Sequence, residues 1–166
     1  PLKATAIVIE YTGNQREREE AIMVSADIIG IRRDFQDSLR KLISSRIPGF
    51  DTQKLFVNAT HTHSSYRGTL TSEHSDLLLN KLEEVVVSAW NNREPAGISS
   101  TLAYEVVGHN RRVRYSDGTT QMYGLTSRDD FTGLEGPTDH GVDIIYTWDI
   151  NRNLTGVIMN VSCPTQ

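Results

Sequence analysis

Leu55 to Ser65 reads Leu-Phe-Val-Asn-Ala-Thr-His-Thr-His-Ser-Ser, and two of these residues can bind a metal ion or move a proton. Side chains at i and i+2 of an extended chain leave from the same face. The spacing therefore predicts that His61 and His63 point together from the end of a strand, where one cation or substrate can meet both imidazoles. The alternative is a pair of solvated histidines at a strand exit. Two other apolar runs also end in a residue that can bind metal, one at Asp27 and one at Cys163. Imidazole, thiolate and carboxylate together suit zinc better than magnesium or calcium. Asp27 can equally cap the turn after its strand, and a lone cysteine such as Cys163 can equally be an inert buried thiol. His74 and His140 read as surface residues, and His109 stays open. His109 leads into Asn110-Arg111-Arg112, where a rigid guanidinium fork beside a glycine-rich loop can hold a substrate carbonyl or hydroxyl. Those arginines can also be plain exposed charges.

The elements that must carry these residues are legible in outline. Leu2 to Tyr11 is β-rich, with turn residues at Thr12-Gly13-Asn14. The charged stretch Arg16 to Glu20 is either a hairpin tip or the start of the next strand. Ala21 to Ala26 reads as a buried strand running into Asp27. Asp34 is placed to cap a helix with Phe35, Leu39, Leu42 and Ile43 at helical spacing, ended by Pro48-Gly49. The strand into His61 follows. Because a helix separates these two strands, they are expected to be parallel and to open on one edge, where α/β sheets collect ligands. If the last strand runs the same way, Asp27, His61, His63 and Cys163 share that crevice.

Ser72 is the expected N-cap of a second helix, with an apolar stripe of Leu78, Leu82, Val85, Val86, Ala89 and Trp90 that reads as core. Pro95 closes it. Ile98 to Val107 returns to strand, Asp117-Gly118 marks a short hairpin, and Gln121 to His140 reads as a long loop. Val142 to Trp148 and Leu154 to Val161 are two further strands. The order of elements predicts one α/β domain with a mixed sheet flanked by helices.

Composition narrows the partners. At 166 residues the chain is long enough for one domain with a real core, and 37% of it is hydrophobic. Its net charge is −4, which argues against nucleic acid or an anionic membrane as the default partner. No apolar run approaches the length of a transmembrane helix. The one cysteine excludes an internal disulfide and leaves the redox compartment open. The chain opens at Pro1 almost directly in a strand and stops just after another, so it reads as a processed chain or a piece of a larger one.

Taken in order, several segments resemble one family. Val24-Ser25-Ala26-Asp27 followed by Asn58-Ala59-Thr60-His61-Thr62-His63-Ser64 is similar to the N-terminal catalytic domain of the neutral/alkaline, non-lysosomal ceramidases and their bacterial relatives. There a V-S-A-D strand precedes an A-T-H-T-H-S-G element. Asn110-Arg111 resembles the family's N-R segment, Gly136-Pro137-Thr138-Asp139 through Trp148 resembles its D-x-x-V-x-x-L-x-F strand, and Asn160 to Thr165 resembles the strand that ends in His-Pro-Thr. The similarity runs along nearly the whole chain, and the Thr-His-Thr-His-Ser element is its most specific part.

The resemblance implies a zinc-dependent hydrolase that cleaves the amide of an N-acyl lipid with a metal-activated water, in a secreted or periplasmic protein. On that pattern His61 is a zinc ligand, Cys163 stands where the family has its second zinc histidine, His63 is a neighbouring or substrate-contacting group, and Arg111 holds the substrate. The sequence departs from the pattern at Cys163, at Ser65 (Gly in the family) and at Tyr66 (Pro in the family). The G-D-x-S-P-N segment and the later Glu and Tyr ligands of the family do not occur in these residues. Residues 1–166 are therefore expected to form part of a ceramidase-like catalytic domain, whose remaining part would be a partner of this one. Two alternatives follow from the departures: a binding or structural domain of this fold that has lost a complete metal site, and a Cys163–His61 thiol hydrolase.

Overall fold

A computed structural model describes residues 2–13 and 18–163. The chain gathers into two compact units, one running up to Glu94 and the other Pro95–Cys163.

The first unit is built on a mixed three-stranded sheet. Strand β1 (Ala4–Thr12) pairs antiparallel with β2 (Arg18–Ala26), and β2 pairs parallel with β4 (Leu55–Ala59), giving the order β1-β2-β4. The two-residue strand β3 (Gly30–Ile31) lies between β2 and helix α1 (Arg33–Arg46). It pairs parallel with β5 (Arg67–Gly68), which follows the histidine segment. Helix α2 (Ser75–Asn91) completes the unit. Ile22, Val24 and Ala26 are buried while Ser25 is exposed, so the period-2 pattern of β2 commits one face to the helices. That face packs with Phe35, Leu39 and Ile43 of α1 and Leu79, Leu82 and Val86 of α2. Full burial of each large side chain contributes about 1.5–3 kcal/mol.

The expected parallel pairing of the Asp27 and His61 strands is present, and both helices form where the apolar spacing placed them. Their starts differ. Arg32, not Asp34, is the N-cap of α1; Asp34 sits in the first turn, where its carboxylate accepts from the Phe35 amide at 2.9 Å. His74, not Ser72, is the N-cap of α2, and the Ser72 hydroxyl accepts from the His74 amide one step outside the helix. Of the charged stretch after Gly13, residues 18–20 belong to β2 and residues 14–17 lie outside the described residues.

The second unit contains two antiparallel sheets. One has the order β11-β10-β6, from β6 (Gly97–Tyr104), β10 (Gly141–Trp148) and β11 (Leu154–Val161). The other has the order β8-β7-β9, from β7 (Arg112–Tyr115), β8 (Thr120–Met122) and β9 (Phe131–Leu134). The late strands thus form sheets of their own instead of extending the first, and the segment read as one long loop contains β9. Asp117-Gly118 does turn the β7–β8 hairpin: Gly118 has φ +81°, and Asp117 accepts from both the amide and the hydroxyl of Thr119. Asp149 ties the β10–β11 turn in the same way, accepting from the Asn151 and Asn153 amides and the Asn153 side chain.

Two predictions follow from these packing details. A Cβ at Gly68 would stand 3.2 Å from the Gly30 carbonyl oxygen and 3.3 Å from the Phe35 ring. Gly68→Ala should therefore destabilise the first unit by about 1–3 kcal/mol, the usual range for overpacking, read as a lowered midpoint in chemical denaturation. The hydrogen bond from Thr119 holds the Asp117 carboxyl below its usual range, and the one from Asn153 does the same for Asp149. A depressed carboxylate stabilises the fold above its unfolded pKa and stops doing so as pH falls through the lower folded value. The two turns should accordingly keep full strength down to the ordinary aspartate range and loosen only below it. Amide exchange at Thr119 and Asn153, followed during acid titration, would show this.

Candidate functional site

The first set of candidate residues sits just past the carboxyl ends of β2 and β4. After Ala59 the chain leaves the sheet, but two backbone bonds keep it against the end of β2: the Thr60 amide donates to the Ala26 carbonyl at 3.0 Å, and the His61 amide donates to that of Ile28 at 3.1 Å. His61 has φ 65°, in the left-handed region. The two histidines are therefore not an i, i+2 pair on a pleated strand. They still meet, because the turn brings the rings edge to face with centroids 4.7 Å apart and planes at 76°.

The chemistry of His61 follows from one further bond. Its Nδ1 lies 2.6 Å from the Ile29 carbonyl oxygen. A carbonyl can only accept, so Nδ1 carries a proton, and in the neutral ring the lone pair is on Nε2. A backbone carbonyl on the other ring nitrogen is the usual way of fixing a metal-binding imidazole. His61 and His63 are both exposed.

Asp27 closes the same corner. Its Oδ1 accepts from the Thr60 hydroxyl at 3.3 Å and its Oδ2 from the Lys3 amide at 3.1 Å, while Thr60 and Thr62 share a hydroxyl hydrogen bond of 2.9 Å. Asp27 thus braces the histidine turn through Thr60. It also lines a cavity of about 600 Å³ with apolar walls, among them Leu2, Tyr66, Leu78, Leu82 and Val85. This volume lies within the range that encloses small-molecule ligands.

A zinc ion held by protein alone takes four ligands in a structural site and three in a catalytic one. Among the described residues no group of three or more His, Cys, Asp or Glu side chains is arranged to hold a metal ion. The tautomer and exposure of His61 suit a ligand, but the set is short.

The remaining candidates belong to the second unit and are described within it. Cys163 is half-buried; its sulfur packs so closely on Gly108 that a Cβ there would stand 3.1 Å away, and it lies 4.0 Å from the Val107 carbonyl. Arg111 and Arg112 separate clearly. Arg112 forms an ion pair with Glu135 and a hydrogen bond with Thr120 across the sheet. The bond from Arg112 holds the Glu135 carboxyl below its usual range. Arg111 is exposed, and its guanidinium donates to the Tyr123 hydroxyl.

His140, expected at the surface, is half-buried with its Nδ1 enclosed and unpartnered among the described residues, its ring 6.4 Å from that of His109. His74 is likewise half-buried and packs against Tyr66, with ring centroids 4.1 Å apart and planes tilted by 55°. Tyr123, Thr60 and the Ile29 carbonyl are the participants that residue types alone do not disclose. Counting a two-residue hairpin outward from Asp117-Gly118 sets Tyr123 opposite Arg112; the observed register is shifted by one residue and brings Tyr123 to Arg111 instead.

No family model matches the sequence, and no curated protein matches it. Solved structures do. The neutral ceramidase from Pseudomonas aeruginosa superposes with a TM-score of 0.68 at 18% identity, over 95% of this chain and 25% of that one. A ceramidase complexed with C2 matches with the same TM-score, identity and coverage. At this identity the likeness concerns the fold, and the chain spans about a quarter of the length of those structures. In fold, this chain is similar to one part of a neutral ceramidase.

Proposed function

We propose that this chain is part of a zinc-dependent hydrolase resembling neutral ceramidase, cleaving the amide bond of an N-acyl lipid. The observation that carries the reading is the state of His61. A tertiary hydrogen bond engages Nδ1 and leaves Nε2 as the open nitrogen of an exposed ring beside a second imidazole, in the Thr-His-Thr-His-Ser element that resembles the ceramidases. The ceramidase-like fold supports it, as does the apolar cavity beside Asp27, whose walls suit an alkyl chain.

In this proposal His61 and Cys163 hold the zinc, with further ligands from beyond the described residues. Bound zinc supplies a water of pKa about 7 and polarises a carbonyl. His63, exposed and next to His61, carries a proton between solvent and substrate. Arg111 presents guanidinium N–H groups to a substrate carbonyl or hydroxyl. Asp27 and Thr60 keep the turn in place. The proposal includes a secreted or periplasmic location, and among the described residues no helix is long and apolar enough to cross a membrane.

A second reading draws on the short donor set: a binding or structural domain of the same fold without turnover. Metal analysis separates the two. Under the hydrolase reading, the intact protein purified without chelator carries close to one zinc, His61→Ala loses it, and His63→Ala keeps it while slowing hydrolysis of an N-acyl amphiphile by about 10²-fold or more. Under the binding reading His61→Ala changes neither metal content nor turnover.

A further inference from the structure

We infer that Tyr123 is a positioning residue that fixes the direction of the Arg111 guanidinium toward a ligand oxygen. The inference rests on the role given to Arg111 above and adds a residue that no motif marks.

The pairing begins in the hairpin. In the ladder of β7 and β8, Arg112 faces Met122, so the next rung outward sets Arg111 against Tyr123. That rung forms: the Tyr123 amide donates to the Arg111 carbonyl at 2.8 Å. The side chains repeat the pairing, because the Arg111 guanidinium donates to the Tyr123 hydroxyl while its carbon lies 5.2 Å from the centre of the Tyr123 ring. One aromatic residue thus grips the guanidinium by a charge-assisted hydrogen bond and by the ring.

The grip is held in an unfavourable backbone. Tyr123 has φ 55°, a region that bulky side chains rarely occupy, and such conformations persist where the surroundings over-determine them. Here the surroundings are the next residue. A Cβ at Gly124 would stand 2.4 Å from the Tyr115 hydroxyl and 3.0 Å from the Val113 Cβ, so the chain passes too close to β7 for any other residue. The ring is nevertheless 67% exposed and belongs to no buried core, so packing does not account for it.

A comparison with Arg112 shows what the grip leaves over. Arg112 spends its donors on Glu135 and Thr120 within the sheet. Arg111 spends one on Tyr123 and, among the described residues, shows no carboxylate partner. An arginine fork has five N–H donors, so most of them remain in a fixed direction for an acceptor such as an amide carbonyl or a hydroxyl.

The test uses the whole chain, with Tyr123→Phe, Arg111→Ala and the double variant, and two readouts. The first is nitrogen NMR of the Arg111 guanidinium, which reports hindered rotation without any ligand. Hindered rotation in the native protein that is released in Tyr123→Phe is expected; free rotation in the native protein overturns the inference and leaves the proposed function untouched. The second is the affinity for a soluble short-chain N-acyl amino alcohol. Tyr123→Phe should weaken it several-fold to about tenfold, with the double variant no weaker than Arg111→Ala alone. If Arg111→Ala weakens binding while Tyr123→Phe does not, or if the two losses simply add, Tyr123 has no positioning role. If neither variant changes the affinity, the role proposed for Arg111 falls and this inference falls with it.

Discussion

The histidine turn exists in its present form because a short run of backbone, residues 26–32, is bonded to residues 60–68 at nearly every step. The parallel ladder of β2 and β4 ends at Ala26 and Ala59. Thr60 and His61 then bond back to Ala26 and Ile28, Ile29 bonds to the Tyr66 carbonyl, and Arg32 bonds to that of Gly68. Strands β3 and β5 close the loop as a second parallel pair. Between the two anchors the residues from Thr62 to Ser65 loop out against a single step of the partner segment, from Ile28 to Ile29. His61 opens that loop with a left-handed backbone. The lacing also explains why Gly68 tolerates no Cβ without local shifts: the second anchor lies directly on the Gly30 carbonyl and the Phe35 ring.

This constraint has an electrostatic side. The Ile28 and Ile29 carbonyls are those that β2 leaves unpaired on exit from the sheet, and His61 uses both, one through its amide and one through its ring. Satisfying a strand end and selecting a tautomer are here the same event. In the second unit a comparable economy operates on the two arginines. Neighbours in sequence alternate faces on a strand. Arg112 takes up an internal ion pair, and Arg111, at the open end of the hairpin, takes the exposed position.

Much of the fold was legible because it depends on periodicity. Phe35, Leu39 and Ile43 recur at helical spacing and are buried; Leu82 and Val86 do so in the second helix, where the neighbouring Leu79 also enters the core. The parallel relation of β2 and β4 followed from the helix between them. The β7–β8 hairpin followed from Asp117-Gly118, whose turn chemistry is local. What stayed hidden depends on tertiary contact. Nothing in Thr60-His61-Thr62 signals a left-handed residue, since its cause is a set of bonds to residues some thirty positions earlier. Strand β9 lies in a glycine-rich stretch without alternation and exists through its pairing with β7. Both helix starts moved by two residues because the side chains suited to capping bond beside the cap position instead of at it. For the candidate site, residue types pointed to the imidazole pair and to the Asn-Arg segment. They could not say which histidine nitrogen is left open or which arginine is already engaged.

The backbone at position 61 has a consequence for how this protein can change over time. Glycine adopts a left-handed conformation without the penalty of about 1–2 kcal/mol that a side chain incurs, whereas the imidazole recovers about 1 kcal/mol through its bond to Ile29. The two contributions nearly cancel. Selection for a durable fold is then almost blind to whether histidine or glycine occupies this turn, and drift between them would leave folding intact. Retention of the ring across a lineage would record demand for its open nitrogen, and a glycine there would mark a descendant that kept the architecture after giving up the chemistry.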